Sequence, residues 1–159
     1  MTTIADFDVV ASTGARLSLA EKAGKVLLVV NTASKCGFTP QYQGLESLWR
    51  QFGSRGFEVL AFPCNQFGRQ EPASDELIAT FCEVHFGLSF PLMAKVEVNG
   101  PGAIPLYEWL KEEAPGVMGT RAIKWNFTKF LIGRDGAVMR RYAPAVKPEK
   151  LVRDIEALL

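Results

Sequence analysis

A run of five apolar residues at positions 26–30 predicts a buried strand, because three of the five are β-branched. Beyond a polar stretch, apolar residues recur every three or four positions, which predicts an amphipathic helix over residues 42–52. Two glycines then favour the end of that helix. A second apolar run, 57–62, predicts another buried strand that stops at Pro63. Together these elements predict a β-α-β unit.

The remaining pattern predicts further elements on both sides of this unit. Alternating segments that flank turn residues predict an N-terminal hairpin (7–11 with 16–19) and a later hairpin (127–133 with 137–142). Ser74, with acidic residues directly after it, is typical of a helix N-cap, and Gly87 of the end of the same helix. Further predicted elements are a short strand, 92–96, a helix, 105–113, and a final helix from Pro148.

This order of elements predicts an α/β protein with a thioredoxin-like fold, in which helices flank a central mixed β-sheet and an N-terminal β-hairpin is added. The length of 159 residues, with 48% hydrophobic and 22% charged residues, predicts one domain over residues 1–159. In such sheets functional residues gather at the carboxyl ends of strands. Cys36, Cys64 and Trp125 all fall beside predicted strand ends.

Charge and composition narrow the classes of partner. The 18 basic and 17 acidic residues leave a net charge of +1, which favours neither nucleic acid nor stable association with an anionic membrane. The first residues lack a basic and apolar targeting pattern, so we expect a cytoplasmic protein. One histidine and three widely spaced cysteines fit neither a metal site nor a secreted disulfide framework, and we expect no cofactor.

Cys36 is the first candidate for chemistry, because it lies where the strand passes over to the helix. Backbone N–H groups near a helix N-terminus favour a thiolate. Lowering a thiol pKa by two units raises the ionised fraction roughly 25-fold but weakens the nucleophile by about 6- to 10-fold, so the net gain is small. A fast thiol enzyme therefore also needs fixed N–H donors that stabilise the leaving group. Candidate donors are Gln66, Gln70, Trp125 and Asn126.

Three segments of the chain resemble the signature segments of the glutathione peroxidase family. They read N-T-A-S-K-C-G-F-T at 31–39, F-P-C-N-Q-F-G-R-Q-E-P at 62–72 and I-K-W-N-F-T-K-F-L-I at 123–132. The resemblance extends over nearly the whole chain and implies a thioredoxin-like peroxidase that uses cysteine in place of selenocysteine.

The resemblance also implies roles for individual residues. Cys36 would be the peroxidatic cysteine, and Gln70, Trp125 and Asn126 would complete the catalytic site around its sulfur. The alternatives are that Cys36 is a buried core thiol, Gln70 a solvated loop amide and Trp125 a core aromatic residue, and each is the less favoured interpretation. Cys64 has no role in the family pattern, and we expect it to be structural.

Cys82 bears on how such an enzyme is recycled. On its own it is typical of a small core residue, on a helix face shared with Leu77, Ile78 and Phe81. The resemblance implies instead the bacterial, fungal and plant subgroup, in which this resolving cysteine condenses with the Cys36 sulfenic acid and thioredoxin, rather than glutathione, reduces the disulfide. We expect its helix to unwind locally for that step.

The resemblance also bears on the oligomeric state and the substrates. Between residues 105 and 121 the chain is short where tetrameric members of the family carry an insertion, which indicates a monomer. The substrates that the resemblance implies are hydrogen peroxide and organic hydroperoxides.

Other functions remain open on the sequence. A peroxide sensor that passes its oxidation to a partner protein would need the same cysteines. A thiol-disulfide oxidoreductase or copper carrier is disfavoured, because Cys36 has no second cysteine within four residues.

Overall fold

The structure is a computed structural model that describes residues 1–159. A four-stranded mixed sheet forms its centre. The strands of the chain are β1 (Asp8–Val10), β2 (Arg16–Ser18), β3 (Val26–Thr32), β4 (Phe57–Pro63), β5 (Lys129–Ile132) and β6 (Val138–Tyr142). The central order is β4-β3-β5-β6, with β3 parallel to β4 and antiparallel to β5. β1 and β2 form the predicted N-terminal hairpin as a separate antiparallel pair.

Helices cover both faces of this sheet, as predicted. They are α1 (Gln41–Phe52), α2 (Asp75–Phe86), α3 (Pro105–Glu113) and α4 (Val152–Leu158). Successive residues of β3 point to opposite faces, so Leu28 and Val30 belong to one buried cluster and Leu27 and Val29 to another. The first cluster contains residues of α1, α2 and α4, and the second contains residues of α3. None of the helices combines the length and the apolar character that a bilayer crossing requires.

The predicted strand at 92–96 is wrong. Leu92 and Met93 form only single bridges, the first to Ala61 and the second to Ala11. The backbone bonds of this segment are divided between two partners, because Met93 N–H donates to Ala61 while the next amide donates to Val10. The segment therefore joins the N-terminal hairpin to the edge of β4 and adds no fifth strand.

The predicted apolar face of α2 is wrong at one position. Ile78 and Cys82 are buried, but the Leu77 side chain is 63% exposed. Residues 77 and 78 are adjacent, about 100° apart around the helix, and only one of them can point at the centre of the contact. The prediction of both ends of the helix is confirmed, since Ser74 accepts the Leu77 amide and Gly87 ends α2 with φ +58°.

Candidate active site

Cys36 lies in a tight turn directly after β3. Its amide donates to the Thr39 hydroxyl (2.8 Å), which in turn donates to the Ala33 carbonyl (2.8 Å). The Thr39 amide returns a bond to the Cys36 carbonyl (3.0 Å). One hydroxyl thus fastens the turn at both ends and holds Cys36 with only 8% of its surface exposed.

The donor that reaches the Cys36 sulfur is local and is not part of α1. The Phe38 amide lies 3.3 Å from Cys36 Sγ, whereas α1 begins only at Gln41. The sequence prediction that Cys36 lies where β3 gives way to a helix holds, but a turn of four residues separates the cysteine from the helix. The N–H group beside the sulfur therefore comes from this turn.

The second loop, between β4 and α2, brings Gln70 to the same turn. Its carbonyl accepts the Lys35 amide (3.0 Å), so the residue next to Cys36 is in backbone contact with Gln70. Gly68 and Arg69, just before it, both have left-handed backbone conformations, with φ +64° and +52°. A left-handed backbone conformation is strained in a non-glycine residue such as Arg69, and such strain clusters where a loop must hold a particular shape.

The third loop, before β5, brings Asn126 and Trp125 to Gln70. Asn126 is wholly buried, and its Nδ2 donates to Gln70 Oε1 (3.1 Å). The Trp125 ring lies 5.8 Å from the Phe67 ring and against Gly68, where an added Cβ would be 3.2 Å from the indole. Because Gln70 Oε1 accepts from Asn126, the Gln70 Nε2 hydrogens remain available as donors.

The backbone of this third loop is fixed to β3. Asn31 Nδ2 donates to the Trp125 carbonyl (3.2 Å), and the Asn31 carbonyl accepts the Phe127 amide (2.6 Å). Phe127 is buried with φ +64°, an uncommon conformation for an aromatic residue. The structure therefore brings together three of the predicted donors, Gln70, Trp125 and Asn126, beside the turn that holds Cys36.

Gln66, the fourth candidate donor, is engaged elsewhere. Its Oε1 accepts the Val98 amide (2.7 Å), and its Nε2 donates to the Asn99 carbonyl (2.9 Å). The same oxygen lies 3.5 Å from the Cys64 sulfur, which belongs to the cluster on the α3 face of the sheet. Gln66 and Cys64 thus brace the loop over the opposite face.

Cys82 shares a buried cluster with Cys36, on the α1 face of the sheet. All three cysteines are free thiols, and Cys82 on α2 is only 1% exposed. Burial raises the pKa of the Cys82 thiol to about 11; the neighbouring Tyr42 hydroxyl lowers it, and the Glu71 carboxylate raises it further. At pH 7 only about one such thiol in 10⁴ is ionised, so Cys82 is unreactive in this state.

Both ends of α2 are tied to other parts of the protein. Asp75 at its first turn accepts the Lys95 amide (2.8 Å). Beyond its last turn, Ser89 donates its amide (2.8 Å) and hydroxyl (2.6 Å) to the buried Glu46 carboxylate of α1. Burial raises the pKa of Glu46, but the Ser89 bonds and the Arg50 ion pair outweigh it and hold that pKa below its usual value.

Sequence reasoning missed two polar residues of the site, Ser34 and Glu71. Glu71 follows Gln70 and is wholly buried, and the Ser34 hydroxyl donates to Glu71 Oε1. Burial raises the pKa of the Glu71 carboxyl, although the Ser34 bond and the charges of Lys95 and Lys35 oppose it. Both residues stand in the segments 31–39 and 62–72, yet nothing in their local pattern distinguishes them from solvated loop residues.

Comparisons with known proteins identify the family of this chain. The glutathione peroxidase family profile matches residues 4–111, which include Cys36, Gln70 and Cys82. The chain is 54% identical to the hydroperoxy fatty acid reductase gpx1 of Synechocystis, over 99% of this chain and 96% of that protein. It is 57% identical to the glutathione peroxidase-like peroxiredoxin gpx1 of Schizosaccharomyces pombe, over 86% of this chain and 85% of that protein.

Solved structures show the same fold. The crystal structure of T. cruzi GPX1 superposes with a TM-score of 0.82 at 40% identity, covering 99% of this chain and 96% of that one. A thioredoxin family thiol:disulfide interchange protein of Chlorobium tepidum superposes with a TM-score of 0.69 at 18% identity, covering 96% and 92%, a likeness of fold alone. The chain therefore belongs to the glutathione peroxidase family, and it is a non-selenium peroxidase with a thioredoxin-like fold.

Proposed function

We propose that the whole chain acts as one thiol peroxidase domain that reduces hydrogen peroxide and organic hydroperoxides through Cys36. The observation that carries this proposal is the pair of hydrogen bonds from Lys35 to Gln70 and from Asn126 to Gln70, which gather amide donors beside the cysteine turn. The name of the Synechocystis relative, a hydroperoxy fatty acid reductase, supports organic hydroperoxides as substrates.

In the first step the Cys36 thiolate attacks the terminal oxygen of the hydroperoxide. A sulfur–oxygen bond forms as the oxygen–oxygen bond breaks, which leaves a sulfenic acid and releases an alkoxide or hydroxide. That anion takes up a proton equivalent to the one lost by the thiol and departs as alcohol or water. The Gln70 and Asn126 amides and the Trp125 indole N–H serve as donors to the developing negative charge.

In the second step the Cys82 thiol condenses with the Cys36 sulfenic acid, giving a disulfide and one water. The shared cluster supports this pairing, because Cys64 lies on the opposite face of the sheet. Because Cys82 is only 1% exposed on α2, we expect this helix to unwind locally before the Cys82 sulfur reaches Cys36. A monomer would then present the disulfide to thioredoxin in the cytoplasm.

Removing one amide donor should slow the first step without preventing it. We expect Gln70→Ala and Asn126→Ala each to lower the second-order rate constant for Cys36 oxidation by about 100-fold, the usual cost of one lost transition-state donor. Stopped-flow fluorescence of the reduced protein mixed with peroxide measures this constant. Gln66→Ala is the matched control, an amide of the same loop bonded to Asn99, and should stay near the wild-type rate. Equal losses in all three variants would argue against a donor role.

Thioredoxin should support turnover better than glutathione. An intramolecular Cys36–Cys82 disulfide suits attack by a dithiol reductant, whereas glutathione acts on a sulfenic acid that Cys82 would already have consumed. Initial rates of peroxide loss with thioredoxin plus its reductase, and with glutathione plus its reductase, should differ by more than about tenfold in favour of thioredoxin. Faster turnover with glutathione would contradict the proposed recycling route.

A further inference from the structure

We infer that Glu71, acting through Ser34, is a positioning residue that fixes the Cys36 turn against the Gln70–Asn126 pair. The inference rests on the proposed function and concerns a residue that makes no hydrogen bond to the Cys36 sulfur. It assigns a task to a buried carboxyl group that the mechanism above leaves unused.

Burial of Glu71 is the first observation. Its side chain is wholly enclosed and forms no ion pair with a lysine or arginine. One carboxylate oxygen accepts the Ser34 hydroxyl, and the other has no hydrogen-bond partner in the protein. Burying a carboxyl group with so few partners is unfavourable in free energy, which argues against a purely passive packing role for Glu71.

Its connections are the second observation. The Glu71 amide donates to Asn65 Oδ1 (3.0 Å) and closes the loop upon itself, while the Glu71 side chain leaves that loop to reach Ser34. Gln70 directly precedes Glu71 in this loop, and its carbonyl accepts the Lys35 amide. The two loops are therefore joined at two adjacent points, Ser34 with Glu71 and Lys35 with Gln70.

Two hydrogen bonds between the cysteine turn and the Gln70 loop restrain the turn more than one bond does. With the Lys35 bond alone, the cysteine turn could pivot about a single hydrogen bond and alter its distance to the Gln70 amide. A second bond one residue away removes that freedom, and catalytic groups need positions held within a fraction of an ångström. The Ser34–Glu71 bond should therefore matter more for the attack on peroxide than for the existence of the thiolate.

The test compares two reactions of the same sulfur. Oxidation by peroxide needs the Gln70, Trp125 and Asn126 donors, whereas alkylation by iodoacetamide does not. We expect Ser34→Ala to lower the peroxide rate constant about tenfold, less than the hundredfold that a 1 Å displacement can cost. Alkylation of Cys36, quantified by mass spectrometry on its peptide, should change by less than about twofold.

Further variants separate positioning from folding. Glu71→Ala should match Ser34→Ala, and the double variant should be no slower than the slower single variant, because both delete the same bond. Glu71→Gln keeps an oxygen for the Ser34 hydroxyl and should recover the peroxide rate to within about threefold of wild type. Should Glu71→Ala fail to fold, Ser34→Ala, which removes only a hydroxyl, still decides the matter.

A wild-type peroxide rate in Ser34→Ala would overturn the inference, and so would equal losses of oxidation and alkylation. Faster alkylation of buried Cys64 and Cys82 in the variant would indicate general loosening and would overturn it as well. These outcomes are distinct from a failure of the proposed function, in which the wild-type protein itself would not oxidise at Cys36.

Discussion

Replacing Cys36 by serine is expected to abolish peroxide reduction, lowering the rate constant by at least about 10⁴-fold, since enzymes commonly accelerate reactions by about 10⁶-fold or more. A serine hydroxyl in the same turn would keep the bond from the Phe38 amide but would offer no ionised nucleophile near neutral pH. Loss of hydrogen peroxide, followed with excess thioredoxin system and separately with stoichiometric protein, measures the effect. Both assays should fall to the uncatalysed background.

The matched control is Cys64→Ser, which makes the same chemical change in the cluster on the other face of the sheet. It should keep peroxide reduction in both assays, because serine can still donate to Gln66 at that position. If Cys36→Ser consumed peroxide in stoichiometric amounts, or if Cys64→Ser were the inactive variant, the assignment of the nucleophile would be wrong.

Replacing Cys82 by serine is expected to separate the two halves of the cycle. Thioredoxin-supported turnover should fall by at least about 100-fold, because the serine hydroxyl cannot form the disulfide that thioredoxin attacks. A single burst that consumes one peroxide per chain should survive, since oxidation of Cys36 does not involve Cys82. Stopped-flow measurements should therefore show an unchanged first phase, which reports oxidation of Cys36, and no second phase, which would report formation of the disulfide.

Mass spectrometry provides the chemical readout for this variant. After one equivalent of peroxide, the wild-type protein should contain a Cys36–Cys82 disulfide and a free Cys64 thiol. The Cys82→Ser protein should instead carry one additional oxygen on Cys36, which a sulfenic acid reagent traps. Undiminished turnover with thioredoxin would eliminate the resolving role. A mixed disulfide between this variant and a protein other than thioredoxin would favour the sensor function.

Much of the scaffold could be predicted because it follows from local periodicity. The β-α-β unit is readable from two apolar runs around an amphipathic segment, and α3 occupies the predicted residues 105–113. Segment 92–96 was harder, since an apolar stretch becomes a strand only if one neighbour pairs with several residues in succession. Here two neighbouring segments each pair with only part of segment 92–96, and this is visible only in the tertiary structure.

The sequence proposes residue types for the candidate site but does not predict the bonds that support it. Cys36, Gln70, Trp125 and Asn126 stand in three long segments whose likeness to a family is visible in the sequence. The Ser34–Glu71 bond joins residues 37 positions apart, and no local pattern specifies such a pair. Likewise, the distance from Cys36 to the start of α1 depends on the Thr39 hydroxyl, which fastens a turn that periodicity alone does not show.

The anchored ends of α2 limit what each catalytic cycle would disturb. Lys95 holds Asp75 at the start of the helix, and Glu46 holds Ser89 just beyond its end, so the segment that the proposed unwinding would release is bounded on both sides. A tethered segment loses less entropy on refolding than a free one, because its ends are already in place. The enzyme would then return to its reduced shape by closing a short loop, a process that can be completed in well under a millisecond.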